Sequence, residues 1–162
     1  MDDPLLTDDV RALVADLTVR RETVATAESL TAGLLAATLA GVPGASAVLR
    51  GGLVTYTVDT KASLAGVPAK VLDEEGPVAE PTARALAVGA MQRCGATWGV
   101  GLTGVAGPEP HGGHPVGTVF VGVAGPVATT VEQLQLHGSR WDIRLAAVHE
   151  AVRVLRAALS QP

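Results

Sequence analysis

The sequence predicts an α/β fold, a three-layer α/β/α sandwich in which helices cover both faces of a mixed β-sheet. β-prone runs alternate with helical patterns along most of the chain, which is typical of this fold class. Near the C-terminal end, two β-prone runs are joined by a short turn at Gly125-Pro126, and a hairpin requires at least one antiparallel strand pair. The 162 residues, 48% of them hydrophobic, suit one compact domain over residues 1–162.

A helix, a strand and a second helix are predicted at the start of the chain. Residues 5–19 repeat apolar side chains at steps of three and four, with Thr7 as the N-cap. A β-prone run at 23–26 follows, and a helix is predicted from about 31 to 40. Ser29 therefore lies in a strand-to-helix turn.

The next segment predicts a strand and two helices. The strand covers about 52–57. Asp59 or Thr60 can cap a helix that begins near Lys61, and another helical segment follows Pro68.

The second half of the chain predicts a capped helix, a strand, a loop rich in glycine and proline, the hairpin and a closing helix. The helix predicted at 81–94 has Pro81 in its first turn and Gly95 after its last turn. Ser139 is the expected N-cap of the closing helix. The expected order is helix 81–94, strand 98–103, loop 104–115, two strands joined at Gly125-Pro126, and the C-terminal helix.

Composition excludes several classes of protein. A net charge of −4 and the lack of a Lys/Arg run argue against nucleic-acid binding. Apolar stretches are interrupted before the roughly 18 residues that a membrane span needs. The first ten residues lack the features of a secretory signal, and the single cysteine, Cys94, fits a reducing compartment. We therefore expect a cytoplasmic protein with neither nucleic acid nor membrane as a partner.

Ser29 is the first candidate for chemistry. Backbone N–H groups are exposed where a strand ends and a helix begins, and they can stabilise an oxyanion or a phosphate beside a hydroxyl. The alternative is that Ser29 or Thr31 only caps the helix. The residue pattern leaves both interpretations open.

Lys61 and Tyr56 form a second candidate pair, five residues apart. A cation in the first turn of a helix opposes the helix dipole, which lowers the pKa of the amine. If burial and nearby arginine side chains add to this effect, the amine is neutral near pH 7 and can act as a general base toward a serine. The alternatives are a solvated surface lysine and an ordinary interfacial tyrosine. In the functional interpretation, Tyr56 relays or orients the proton that Lys61 takes from the serine.

The loop LTGVAGPEPHGGHPVGTV is a candidate phosphate-binding segment. Thr103 and Gly104 end a strand. The glycines after them allow backbone conformations in which several N–H groups are available to bind an anion. His111 and His114 have no acidic or cysteine partner at a spacing typical of metal ligands, so no metal site is predicted.

Two arginines near the start of the last helix are the remaining candidates. Arg140 and Arg144 are one helical turn apart and share a face, so they can grip a carboxylate or a phosphate. The alternative is an ion pair with Asp142 or Glu150.

Five segments in this order resemble one known family. They are AESLTAG, GGLVTYTVDTK, GPVAEPTARALAVGAM, GLTGVAGPEPHGGHPVGTVFVGV and HGSRWDIRLAAV. Together they resemble the CinA C-terminal domain family, also known as PncC, over nearly the whole chain. Characterised members are nicotinamide-nucleotide amidases, which hydrolyse the carboxamide of nicotinamide mononucleotide to nicotinate mononucleotide and ammonia. The resemblance also implies a homodimer that needs no metal or cofactor.

Carried over by position, Ser29 resembles the nucleophile, Lys61 the base that activates it, and Tyr56 a supporting hydroxyl. The resemblance leaves open whether Glu28 orients the serine or the ligand. The positions that it implies for substrate binding are Glu28, Thr31, Thr103, Gly104, Gly107, Gly112, Gly113, Arg140 and Arg144.

The chain departs from the family pattern at a few positions. Leu30 replaces a cysteine and Ala32 replaces a glycine, and His114 stands where a lysine is common. Glu109-Pro110 with His111 alters the phosphate loop. Substrate preference is therefore open between the mononucleotide and a related pyridine nucleotide, and a silent nucleotide-binding module is the alternative to an enzyme. Many members carry a further N-terminal domain, so this chain resembles the stand-alone form.

Overall fold

A computed structural model describes residues 3–162 and consists of a five-stranded sheet between two layers of helices. Residues 1 and 2 of the predicted domain lie outside this range. The elements are α1 Asp8–Arg20, β1 Val24–Glu28, α2 Leu34–Ala40, a 3₁₀ turn Ala45–Ala47, β2 Leu49–Val54, α3 Val58–Ala65, α4 Ala69–Glu75, α5 Glu80–Cys94, β3 Trp98–Gly104, β4 Thr118–Ala124, β5 Thr129–Gln135 and α6 Arg140–Leu159.

The sheet is mixed, with the strand order β2-β1-β3-β4-β5. β1 pairs in parallel with β2 and with β3, while β3, β4 and β5 pair in antiparallel fashion. The hairpin at Gly125-Pro126 therefore supplies the antiparallel part, as the sequence predicts.

Helices cover both faces of the sheet, which confirms the three-layer prediction. Side chains alternate along β1, so Val24 joins the apolar core beneath α1, α2 and α6, while Ala25 and Ala27 join the core beneath α3, α4 and α5. Among the described residues, no helix is both long and apolar enough to cross a membrane.

Glycines in β3 and β4 allow α5 to lie directly on the sheet. A Cβ atom at Gly99 would lie 2.0 Å from the Ala87 carbonyl oxygen, and one at Gly101 would lie 2.5 Å from the Ala87 nitrogen. A Cβ at Gly122 would similarly lie 2.4 Å from the Ala83 carbonyl oxygen. Because no side chain intervenes, the backbones of helix and strands are in contact.

The β2–α3 boundary differs from the prediction. β2 ends at Val54, and Thr57 rather than Asp59 or Thr60 is the N-cap of α3. The Thr57 hydroxyl accepts from the Thr60 N–H, and the Thr60 side chain bonds in return to the Thr57 N–H, which forms a capping box. Tyr56 therefore lies in the connection between the two elements.

The start of α2 also differs from the prediction. The helix begins at Leu34, three residues later than expected, because Ala32 and Gly33 adopt left-handed backbone conformations with φ of 48° and 94°. Residues 29–33 thus form a turn of their own. At the other predicted caps, Thr7 bonds to α1 and Ser139 forms a capping box with Asp142 at the start of α6.

Candidate active site

A cavity of about 340 Å³ lies at the carboxyl edge of the parallel strands. The chain leaves β1 toward the helix layer that contains α2, and it enters β3 from the opposite layer, which contains α5. The crevice between β1 and β3 is therefore a topological switch point, the place where ligands bind in α/β sheets. The described residues that line it are Ser29, Leu30, Tyr56, Thr57, Val58, Lys61, Pro77, Val78, Thr103, Gly104, Val105, Ala106, Gly107, Glu109, His111 and Arg140.

Ser29 and Lys61 meet at the base of this cavity. The Lys61 Nζ lies 2.9 Å from the Ser29 Oγ and donates a second bond, of 2.8 Å, to the Thr55 carbonyl. Lys61 is 2% exposed and Ser29 is 8% exposed. The structure therefore brings together the two residues that the resemblance identifies as nucleophile and base, although they are far apart in sequence.

Burial sets the protonation of the amine. It lowers the pKa of Lys61 from 10.5 to about 8, because the low-dielectric interior disfavours the charged form. The sequence predicts this direction from the helix dipole with burial and nearby arginines added. Lys61 is the fourth residue of α3, and burial is the cause that the structure gives. A substantial neutral fraction near pH 8 gives the amine a lone pair for the Ser29 hydroxyl proton.

Activity should rise with pH across the titration of Lys61. Below a pKa of about 8 most of the amine is charged, so kcat/KM is expected to increase roughly tenfold per pH unit and to level off above it. A profile of kcat/KM from pH 6 to pH 10 measures this. A flat profile across that range would contradict Lys61 as the base.

Tyr56 lies at the rim of the cavity and is 53% exposed. Its hydroxyl accepts a bond of 2.8 Å from the Arg140 Nη2, and the Nη1 of the same guanidinium donates to the Gly107 carbonyl. Tyr56 is therefore bonded to Arg140 rather than to Lys61, so the expected proton relay from Tyr56 to Lys61 is not the arrangement found. Arg140 instead joins Tyr56 to the 104–107 loop.

The predicted phosphate loop divides into two parts. Thr103, Gly104 and Gly107 line the cavity, and the Thr103 hydroxyl donates to the Pro77 carbonyl at 2.6 Å. Gly112 and Gly113 lie outside the cavity lining of the described chain, in an exposed turn with φ of 57° and 81°. Only the first part is placed to contact a ligand in the cavity.

Glu28 directly precedes Ser29 and is not among the described residues that line the cavity. It is fully buried, and its carboxylate accepts from the Leu35 N–H at 2.8 Å, the Ala36 N–H at 3.1 Å and the Thr26 hydroxyl at 2.9 Å. Since Gly33 has no side chain to cap α2, Glu28 satisfies these first-turn donors from β1. Its expected contact with substrate is replaced by a contact with the α2 backbone.

Removal of this carboxylate should cost stability. Glu28→Ala leaves two first-turn N–H groups without an acceptor, so we expect the free energy of unfolding to fall by about 3 kcal/mol. Urea denaturation measures the change, and Glu75→Ala, at an exposed position, serves as the control that stays within about 0.5 kcal/mol. Unchanged stability together with a raised KM would instead place Glu28 on the substrate.

Thr31 and Arg144 are outside the lining of the cavity among the described residues. Thr31 is buried, and its hydroxyl has no hydrogen-bond partner within residues 3–162. Arg144 donates from Nε to the Leu30 carbonyl at 2.9 Å. Leu30 belongs to the apolar core and also lines the cavity, so the leucine that replaces cysteine contributes apolar surface to both.

Sequence reasoning missed the Thr55 carbonyl, which holds the lysine amine. A backbone acceptor at the end of a strand leaves no signature in the side-chain pattern. It also missed Pro77 and Val78, which precede α5 and line the cavity as ordinary apolar residues. Within residues 3–162, no cluster of histidine, cysteine and carboxylate side chains has the arrangement of a metal site.

Curated relatives are similar in sequence to most of this chain. The CinA-like protein of Frankia casuarinae is 47% identical over 154 residues, and the one from Anaeromyxobacter sp. strain Fw109-5 is 51% identical over 150 residues. These alignments cover 94% and 91% of this chain but 36% of each relative. The chain therefore spans about a third of the length of the curated relatives that it matches.

Solved structures share the fold over nearly the full length. The competence/damage inducible protein CihA of Agrobacterium tumefaciens superposes with a TM-score of 0.91 at 35% identity, covering 99% of this chain and 100% of that one. A CinA superfamily protein of Escherichia coli superposes with a TM-score of 0.91 at 27% identity, covering 98% and 93%. The family model described as CinA C-terminal domain matches residues 7–159, so the chain belongs to the CinA C-terminal domain family.

Proposed function

We propose that this protein hydrolyses the carboxamide of nicotinamide mononucleotide to nicotinate mononucleotide and ammonia. The observation that carries the proposal is the 2.9 Å contact between the Lys61 amine and the Ser29 hydroxyl inside a cavity of about 340 Å³. A buried lysine with a lowered pKa beside a serine is the arrangement of an activated nucleophile. The cavity volume falls in the range of small-molecule sites.

The first half of the reaction forms an acyl-enzyme. Neutral Lys61 takes the proton of the Ser29 hydroxyl, and the Oγ attacks the carboxamide carbon to give a tetrahedral intermediate with a negatively charged oxygen. The lysine ammonium then returns that proton to the leaving nitrogen as the C–N bond breaks, which releases ammonia. The Thr55 carbonyl keeps the amine in place through both transfers.

The second half regenerates the enzyme. A water molecule gives a proton to the neutral Lys61 amine and attacks the ester carbon of the acyl-enzyme. Collapse of the second tetrahedral intermediate breaks the bond to the Ser29 Oγ, which recovers its proton from Lys61. The product carries a carboxylate in place of the carboxamide.

Charges around the cavity suit a nucleotide. Arg140 lines the cavity and can meet a phosphate, and Ala106 and Gly107 belong to the same lining. Glu109 and His111 also line the cavity, and Glu109 supplies a negative charge for a cationic pyridinium ring. These groups lie beside the Ser29 and Lys61 pair, so one molecule can span both regions.

Assays of the purified wild-type protein test the proposal. Ammonia release is measured with nicotinamide mononucleotide and, separately, with the corresponding dinucleotide, while binding of each is followed by calorimetry. Release from the mononucleotide with formation of nicotinate mononucleotide supports the proposal. Binding without release would favour a silent nucleotide-binding module, and release from the dinucleotide alone would favour a related substrate.

A further inference from the structure

Arg144 contacts the turn formed by residues 29–33 and is not among the described residues that line the cavity. It follows Arg140 by one turn of α6, yet among the described residues only Arg140 of this pair lines the cavity. The Arg144 Nε donates to the Leu30 carbonyl at 2.9 Å, and its guanidinium Cζ lies 5.7 Å from the centre of the Trp141 ring. The side chain therefore acts on the residue directly after Ser29.

Leu30 has a backbone donor that the fold leaves free. Its N–H has no acceptor among the hydrogen bonds of residues 3–162, and the residue lines the cavity next to Ser29. In other hydrolases with a nucleophile on a strand-to-helix turn, the N–H after the nucleophile stabilises the oxyanion. The amides of Leu35 and Ala36 are bonded to Glu28 and are not available for this.

The Leu30 backbone is held from two directions. On one side, the Ser29 N–H donates to the Leu102 carbonyl at 2.9 Å, which anchors the turn to β3. On the other side, Arg144 holds the Leu30 carbonyl from α6, whose first turn is fixed by a capping box. The Leu30 N–H shares its peptide plane with the Ser29 carbonyl, which accepts from the Ala32 N–H at 3.0 Å. Arg144 fixes the following peptide through the Leu30 carbonyl, so these contacts restrict rotation on both sides of the Leu30 Cα.

We propose that Arg144 is a positioning residue, which holds the Leu30 carbonyl so that the Leu30 N–H faces the oxyanion that develops during attack by Ser29. This inference rests on the proposed amidase function. It differs from the role implied by family resemblance, in which Arg144 grips the substrate. A grip on substrate strengthens binding in the ground state, whereas an oriented oxyanion donor acts on the transition state.

Steady-state kinetics distinguish the two roles. Arg144→Ala should lower kcat for nicotinamide mononucleotide by about 10- to 100-fold and leave KM within about twofold. Arg144→Lys should lose a similar factor, because lysine keeps the charge but has a methylene group in place of the Nε. Arg153→Ala, which removes an exposed ion-paired arginine of the same helix, should behave as the wild type.

A fluorophosphonate probe supplies a readout that does not depend on the substrate. Phosphonylation of Ser29 also builds negative charge on an oxygen beside the nucleophile, so its rate, followed by intact mass, should fall in both Arg144 variants. Circular dichroism and the urea midpoint verify that the variants are folded.

The outcomes separate this inference from the proposed function. A tenfold rise in KM with unchanged kcat in Arg144→Ala, restored in Arg144→Lys, would overturn positioning and support substrate binding. Wild-type labelling of Ser29 without ammonia release would overturn the proposed substrate, while slower labelling in the Arg144 variants would still support positioning. Absence of both labelling and release in the wild type would overturn the function and this inference together.

Discussion

Ser29→Ala is expected to reduce ammonia release from nicotinamide mononucleotide by a factor on the order of 10⁴ or more. The variant has no Oγ to form the acyl-enzyme, and loss of the nucleophile in serine hydrolases removes nearly all of the covalent route. Nucleotide binding should persist, since the cavity keeps Arg140 and the 104–107 loop. Ammonia release measures the first effect and calorimetry measures the second.

Two controls make the Ser29 result specific. Ser63→Ala changes an exposed serine of α3 and should leave activity at the wild-type level. Stability of Ser29→Ala should fall by only about 1 kcal/mol, because the Lys61 amine keeps its bond to the Thr55 carbonyl. Turnover by a folded Ser29→Ala variant above a tenth of the wild-type rate would rule out Ser29 as the nucleophile.

The architecture could be predicted because local signals agree with the global fold. The period of apolar residues identifies α1 and α6, and glycine and proline mark the ends of α5. The short turn between β4 and β5 makes the sheet mixed. The side of the sheet on which each helix packs was not visible in these patterns, since it depends on contacts between distant segments.

The boundaries beside the site were predicted less well, for reasons of turn chemistry. Ala32 has a φ of 48°, a conformation that sequence rules assign to glycine or asparagine, so the pattern suggested an earlier helix start. Thr57, Asp59 and Thr60 are all acceptable caps by type. The capping box that selects Thr57 is apparent only when the side chains are seen together.

The candidate site could be predicted in its residue types but not in its contacts. Resemblance to a family pointed to Ser29 and Lys61, which the fold places 2.9 Å apart. Nothing in periodicity or spacing indicated that Glu28 would cap a helix seven residues away, or that Arg144 would reach the Leu30 carbonyl across 114 residues. Such contacts depend on how β1, α2 and α6 pack, which is a property of the tertiary structure.

Lys61→Met is expected to lower kcat by a factor of about 10³ or more while the protein remains folded. Methionine has a similar length and suits a buried site, but it has no lone pair of sufficient basicity to accept the Ser29 proton. Lys70→Met, which changes the exposed lysine of α4, is the matched control and should retain full activity. Retained turnover in a folded Lys61→Met variant would exclude the amine as the base.

The same variant tests the protonation of Lys61 through stability alone. Between a folded-state pKa of about 8 and the ordinary value of 10.5, the unfolded lysine holds a proton that the folded one does not, so wild-type stability rises with pH in this window. The difference of one bound proton over this pH interval raises the free energy of unfolding by about 3 kcal/mol. Below pH 8 both states are protonated, and this contribution becomes constant.

Lys61→Met lacks that titration, whereas the other ionisable groups are common to both proteins. Its stability relative to the wild type should therefore be greatest at pH 7 and should decline by about 3 kcal/mol by pH 10.5, as measured by urea denaturation at several pH values. Lys70→Met, which removes an exposed lysine, is measured in parallel as the matched variant. A difference between Lys61→Met and wild type that is independent of pH would mean that the buried amine keeps an ordinary pKa, and a lysine charged throughout the neutral range cannot remove the proton from Ser29.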